Sequence, residues 1–228
     1  CFKSLTLHSK IVISSTLVLI FGGALLIFLF EYNNVNTIGA LNIFDKIQVS
    51  MFQSITTRTA GFATIPQESL TDQSVIVSLI LMFIGGSPVG TAGGIKTITA
   101  VSLVAIAIAS IRNKKEVVLF NRNLSSEITR KAVAVTTMSF MILIISTILL
   151  SLTIDRSIVD ILYETASATA TVGLSRNLTS FLDNIGKTII IVTMYLGRVG
   201  PISLAIAFKS KKESSNIILN PTEEVSIG

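Results

Sequence analysis

Charge is what this sequence has least of. Only 14% of its 228 residues are Asp, Glu, Lys or Arg, against about a quarter in an ordinary soluble domain. So little charge leaves too little polar surface to coat a water-soluble globule. Cysteine is nearly absent as well: Cys1 stands alone, which excludes a disulfide framework and a thiolate metal site. The single histidine, His8, lies between Lys3 and Lys10 and reads as a surface position. GTAGG at 90–94 lacks the spacing of a phosphate-binding loop. With no catalytic triad and no cluster of metal-ligand residues either, the sequence does not read as an enzyme and calls for no cofactor.

What fills the chain is apolar. Half of the residues are hydrophobic and the mean hydropathy is +0.74. The apolar residues come in long runs at 11–30, 74–111, 132–154 and 188–208, whose only charges are Lys96 and Arg198. About 20 such residues cross the ~30 Å hydrocarbon layer, so all four runs qualify as spans. The second is too long for one span and predicts an interruption. No acidic residue lies in any of them, which counts against proton coupling. The net charge of +5 is unevenly placed. Lys3 and Lys10, then Arg112, Lys114, Lys115, Arg122, Arg130 and Lys131, and finally Lys209, Lys211 and Lys212 flank the runs on one side. Glu31, Asp45, Glu68 and Asp72, with Asp155, Asp160, Glu164 and Asp183, lie on the other. Positive residues mark the cytoplasmic side, so both termini are expected there. The basic excess reads as a topology signal and a contact for anionic lipid, not for nucleic acid.

The outer connections are about 40 and 30 residues long, too long for structureless loops. Each holds an apolar segment too short to cross: NIFDKIQVSMFQSIT at 42–56 and IVDILYETASAT at 158–169. In the first, Ile43, Phe44, Ile47, Met51, Phe52 and Ile55 recur at helical spacing. Lengths of 10–14 residues fit a re-entrant half-helix or a flat interfacial one. Each is followed by a similar phrase. Thr57, Thr59, Ala60, Gly61 and Phe62 align without a gap on Thr169, Thr171, Val172, Gly173 and Leu174, 112 positions later. The flanking runs repeat at a similar offset. The chain is therefore a parallel tandem repeat of span, half-helix, loop and span.

Two Thr-x-Gly loops in this setting suit a cation. Rings of backbone carbonyls can replace an ion's hydration shell. Glycine allows the backbone angles such a loop needs, and a half-helix aiming its C-terminal end at the pore favours positive charge there. Irregular backbone at membrane depth is tolerated only against protein or a water-filled cavity.

Four phrases carry a family resemblance: FQSITTRTAGF at 52–62, FIGGSPVGTAGGIKT at 83–97, ETASATATVGLS at 164–175 and MYLGRVGP at 194–201. They resemble the KtrB/TrkH/NtpJ family of potassium and sodium uptake proteins. The resemblance implies an all-α integral membrane fold of potassium-channel-like architecture, built from tandem span, pore-helix, filter-loop and span repeats. It divides the chain into repeats at 1–115 and 116–212 and a cytoplasmic tail at 213–228, similar to the family's third and fourth repeats. Filter positions fall on Thr59, Ala60 and Gly61 and on Thr171, Val172 and Gly173, with potassium or sodium as the only metal ion, bound in transit. An intramembrane gate loop falls at 85–96, with Gly85, Gly86, Gly90, Gly93, Gly94 and Lys96, and with Arg198 as its partner. Pro88 adds to the break. For Lys96, snorkelling to the cytoplasmic face remains an equal reading. Arg58 and Glu164 are expected to make structural ion pairs at the outer mouth.

The family's ring needs four loops, so a missing N-terminal half with two further repeats is expected. A homodimer and a cytoplasmic ring of nucleotide-binding regulatory subunits are implied as partners. The subunits would dock on the basic connections. The expected location is the cell membrane, multi-pass. The function so implied is a gated pore for monovalent cations. The rivals are a secondary symporter working by alternating access and a non-transporting membrane anchor.

Overall fold

Helix starts in this chain are set by short polar side chains just ahead of apolar runs. Thr6 accepts from the Ser9 N–H and opens α1 (Leu7–Glu31). Asn42 accepts from the Asp45 N–H and opens α2 (Ile43–Thr56). Thr71 opens α3 (Asp72–Phe83), and α4 (Thr97–Ile111) follows a break. Ser125 opens α5 (Ser126–Ser151), Ser157 opens α6 (Ile158–Thr169), and Asp183 opens α7 (Asn184–Val199). Each such cap satisfies an N–H that the first turn leaves unpaired. The structure, a computed structural model, describes residues 5–87, 92–114 and 116–200.

Among the described residues, α1 and α5 are long and apolar enough to cross a membrane. The run at 74–111 is not one span. It divides into the shorter helices α3 and α4. Between them two stretches of chain lie side by side in parallel: Ile84 bridges Ile95, and the Ile95 N–H donates to the Phe83 carbonyl at 3.0 Å. Glycine allows this close approach, because Gly94 has φ +67° and a Cβ on Gly85 would sit 2.0 Å from the Gly93 oxygen. The expected run at 188–208 begins earlier, as α7 at Asn184, and its part beyond 200 lies outside the described residues. The basic connection between α4 and α5 carries a small antiparallel hairpin, β1 (Val118–Leu119) and β2 (Arg122–Asn123).

The repeat is visible in the elements. Short 3₁₀ turns at Gln67–Ser69 and Thr179–Phe181, and the caps Thr71 and Asp183, fall 112 positions apart. α1 packs on α2, α3 and α4, while α6 packs on α3, α5 and α7. Gly23 lets α1 approach α2, since a Cβ there would lie 2.5 Å from Ser54 Oγ. One apolar core joins the repeats, with Ile65, Val75 and Met82 against Tyr163, Val172 and Leu174.

The half-helices differ in surroundings. α6 is buried along most of its length, from Ile161 to Thr169. α2 is turned inside out: Lys46, Ser50, Gln53, Ser54 and Thr56 are buried, while Ile43, Phe44, Ile47, Phe52 and Ile55 are exposed. The apolar face read from its periodicity therefore does not pack on the rest of this chain. Its polar face does: Ser54 Oγ donates to the Ile20 carbonyl (2.8 Å), Lys46 Nζ to the Tyr32 carbonyl and Gln53 Nε2 to the Gln67 side chain.

Candidate ion-conducting site

Both Thr-x-Gly loops begin where a half-helix ends. The Thr57 hydroxyl donates back to the Gln53 and Ser54 carbonyls, and Thr169 does so to Thr165. These two hydroxyls are buried against their own helices rather than offered to an ion. The loops then adopt the same unusual backbone. Thr59 has φ 75° and Gly61 φ 79°; Thr171 has φ 54° and Gly173 φ 94°. Ala60 and Val172 between them do not. A threonine in the left-handed region is uncommon, and it occurs here twice at equivalent positions.

The hydrogen bonding of the loops is one-sided. The Ala60 and Gly61 N–H groups donate to the Thr56 carbonyl at 3.0 and 3.1 Å. In the second loop the Val172 N–H donates to the Ser167 carbonyl and the Gly173 N–H to Ser167 Oγ. Thr56 Oγ1 closes the first loop by accepting from the Phe62 N–H and donating to its carbonyl. By contrast, the carbonyls of Thr59, Ala60, Gly61, Thr171, Val172 and Gly173 accept no hydrogen bond among the described residues. All of these donors but the Thr59 N–H are bonded to the scaffold, while the acceptors carry no hydrogen bond among the described residues. The two loops also touch: a Cβ on Gly61 would lie 2.1 Å from the Val172 oxygen.

The segment expected as a gate lies against these loops. A Cβ on Gly93 would lie 2.2 Å from Thr171 Oγ1 and 2.3 Å from the Ala170 oxygen. Thr171 Oγ1 is itself buried without a hydrogen bond. Gly85, Gly86, Gly93, Gly94 and Lys96 are described, while Gly90 and Pro88 lie outside the described residues. The Lys96 ammonium donates to the Ala92 carbonyl within the loop and lies near enough to Arg198 for their like charges to repel. Arg198 is exposed in the last turn of α7.

Two expectations are corrected. Arg58 does not make an ion pair at the outer mouth among the described residues. Its guanidinium donates to the Gly85 carbonyl at 3.3 Å, reaching the start of the glycine-rich segment instead of a carboxylate. Glu164 has no cationic partner among the described residues either. It accepts from the Ser175 and Thr179 hydroxyls at 2.6 and 2.5 Å, fastening the chain after the second loop to its own half-helix.

Sequence reasoning misses several buried polar residues near the site. Glu31, fully buried, accepts from Asn34, Thr37 and Thr71. Gln53, Gln67, Tyr163 and Arg176 form a network between the repeats. No periodicity marks them. The cue available was the presence of amides in otherwise apolar segments. A cavity of about 300 Å³ opens beside the second loop, lined by Ser167, Thr171, Gly173, Ile190 and Met194 among others. Among the described residues no group of three or more His, Cys, Asp or Glu is placed to hold a metal ion.

Residues 2–219 match the family described as TrkH, cation transport protein. The chain belongs to the TrkH family. It is 41% identical to the Ktr system potassium uptake protein B of Bacillus subtilis, over 95% of this chain and 48% of that protein. It is 32% identical to the potassium/sodium uptake protein NtpJ of Enterococcus hirae, over 99% of this chain and 51% of that one. The potassium transporter TrkH of Vibrio parahaemolyticus superimposes with a TM-score of 0.73 at 16% identity, covering 86% of this chain and 43% of that chain. The last likeness shows the fold: an all-α membrane-transporter architecture of TrkH type. The chain spans about half the length of the curated relatives it matches.

Proposed function

We propose that this chain supplies two of the four filter segments of a membrane pore that takes up monovalent cations, potassium first among them. The observation that carries the reading is the pair of equivalent loops whose carbonyls accept no hydrogen bond among the described residues while their N–H groups, Thr59 apart, donate to the scaffold. Alternating the sign of φ along a strand turns successive peptide planes, so neighbouring carbonyls can face one axis. Such a row suits a cation stripped of water. The printed names of the relatives, potassium and potassium/sodium uptake proteins, fit the same class of ion.

Two further repeats complete the ring in this reading. The coverage of about half of each relative supports it. So does the bare apolar face of α2, with Phe44 72% exposed. That face awaits a neighbour of the kind that α3 provides to α6. The segment around Gly85, Gly93 and Gly94 acts as a gate beneath the filter. Its support is the packing of Gly93 on Ala170 and Thr171 and the reach of Arg58 to Gly85. Regulatory subunits dock on the basic connection that includes Arg112, Lys114 and Arg122, and both termini face the cytoplasm.

The test is Gly173→Ser in the full-length transporter, expressed in cells lacking their own potassium uptake. Gly173 has φ +94°, which a serine adopts only at a cost. Potassium affinity relative to sodium is expected to fall. An unchanged affinity for both ions would refute the filter assignment.

A further inference from the structure

We infer that Tyr163 and Arg176 of the second repeat set the ion selectivity of the pore by clamping the chain behind the first filter loop. The inference rests on the filter reading above. After Gly61 the chain leaves the pore axis and reaches the turn at Gln67–Ser69. Gln67 is 2% exposed and its polar atoms are saturated. Its Oε1 accepts from Gln53 Nε2 at 2.7 Å and from the Tyr163 hydroxyl at 2.8 Å. Its Nε2 donates to the Ile65 carbonyl at 2.8 Å. Its own carbonyl accepts from Arg176 Nη1 at 2.9 Å, while Arg176 Nη2 donates to the Glu68 carbonyl. Asp160, one turn before Tyr163 on α6, holds Arg176 Nε at 2.7 Å.

These bonds fall into two kinds. Each repeat ties the chain after its filter loop to its own half-helix: Gln67 to Gln53 in the first, Ser175 and Thr179 to Glu164 in the second. The bonds from Tyr163 and Arg176 are different, because they cross between repeats. They are also made in one direction. By the 112-residue offset, Tyr163 corresponds to Met51, which has no donor to return.

The clamp sits where it can govern ion size. The first filter loop is closed on itself by the Thr56–Phe62 bonds, and the chain leaving it is fixed five residues later by Gln67. Filter geometry of this kind has to be held within about 0.5 Å by groups that do not touch the ion. The fully buried Tyr163 ring also packs in the core shared with Val172, so one side chain braces both loops. Tyr163 and Arg176 are positioning residues: they reach the ion only through the backbone they hold.

The test uses the full-length transporter and measures uptake affinity for potassium and sodium at matched membrane abundance. Tyr163→Phe removes one hydroxyl and keeps the ring. It is expected to lower the potassium-over-sodium affinity ratio at least threefold, with maximal uptake retained. Thr193→Val is the control, because it removes a buried hydroxyl of the same kind, bonded to Ser146 at 2.8 Å and to the Ile189 carbonyl but to no residue of either loop or of the chain behind it. It is expected to leave the ratio unchanged. An unchanged ratio in Tyr163→Phe, or an equal fall in Thr193→Val, overturns the inference. If Tyr163→Phe does not reach the membrane, Arg176→Gln is read in its place with the same two outcomes. If Gly173→Ser alters the ratio and Tyr163→Phe does not, the filter reading stands and the clamp fails. If neither alters it, both fail.

Discussion

Replacing Gly61 with alanine should damage selectivity through two costs that the structure separates. The first is conformational. Gly61 has φ +79°, and an L-residue there loses roughly 1–2 kcal/mol. The second is steric. The added Cβ would lie 2.1 Å from the Val172 oxygen, where ordinary contact begins at 3.4 Å. The obstacle is backbone, and it belongs to the partner loop, so no side chain can swing aside. One loop must move by more than 1 Å relative to the other, beyond the ~0.5 Å that a preorganised site tolerates. The conformational cost alone, expressed fully in binding, is about 5- to 30-fold in affinity. The assay is competitive uptake of potassium and sodium by the full-length transporter in uptake-deficient cells. Gly22→Ala serves as the control, because a Cβ at Gly22 meets nothing within 4 Å. A Gly61→Ala transporter with wild-type discrimination would refute the reasoning.

Two other substitutions probe the surroundings. Gly93→Ala places a Cβ against Thr171 Oγ1 and the Ala170 oxygen. The glycine-rich segment should leave its seat, and uptake per transporter should rise about twofold or more if this segment gates the pore; a lower rate would argue against a gate. Glu31→Gln keeps the shape but turns one acceptor oxygen into a donor facing Asn34, Thr37 and Thr71. Thermal stability in detergent should drop by about 1–3 kcal/mol with selectivity retained, and a neutral outcome would show that Glu31 is not a staple.

Much of the fold is legible in the sequence because repeats expose themselves by alignment. The half-helix bounds read from composition, 42–56 and 158–169, lie within a residue of α2 and α6. The left-handed backbone at Thr59 and Thr171 was not legible, since threonine gives no sign of it. Nor was the direction in which α2 faces. Apolar periodicity locates a buried face when the solvent is water, but at membrane depth the apolar stripe can face lipid or a neighbour while the polar stripe packs inward. The clamp was hidden for another reason. Gln67 meets Tyr163 across 96 positions and Arg176 across 109, and no local pattern encodes a contact of that range.

The two repeats also show how one inherited position serves different ends. Gly85 and Gly197 are equivalent by the 112-residue offset, and both bring backbone against backbone, which a Cβ would prevent. A Cβ at Gly197 would meet the Thr169 oxygen at 2.1 Å, so α7 lies directly on the end of α6. A Cβ at Gly85 would meet the Gly93 oxygen at 2.0 Å, so the end of α3 lies on the chain leading into α4 instead. That chain in turn lies on Ala170 and Thr171, the start of the second Thr-x-Gly loop. In the second repeat a span thus packs directly on its own half-helix, whereas the end of α3 reaches the other repeat's Thr-x-Gly loop through an inserted layer of glycine. The layer is held by Arg58 at the Gly85 carbonyl and by the Ile84–Ile95 bridge. A duplicated span that packs directly can only brace what it touches. One that packs through such a layer, with few side chains to anchor it, can also be moved.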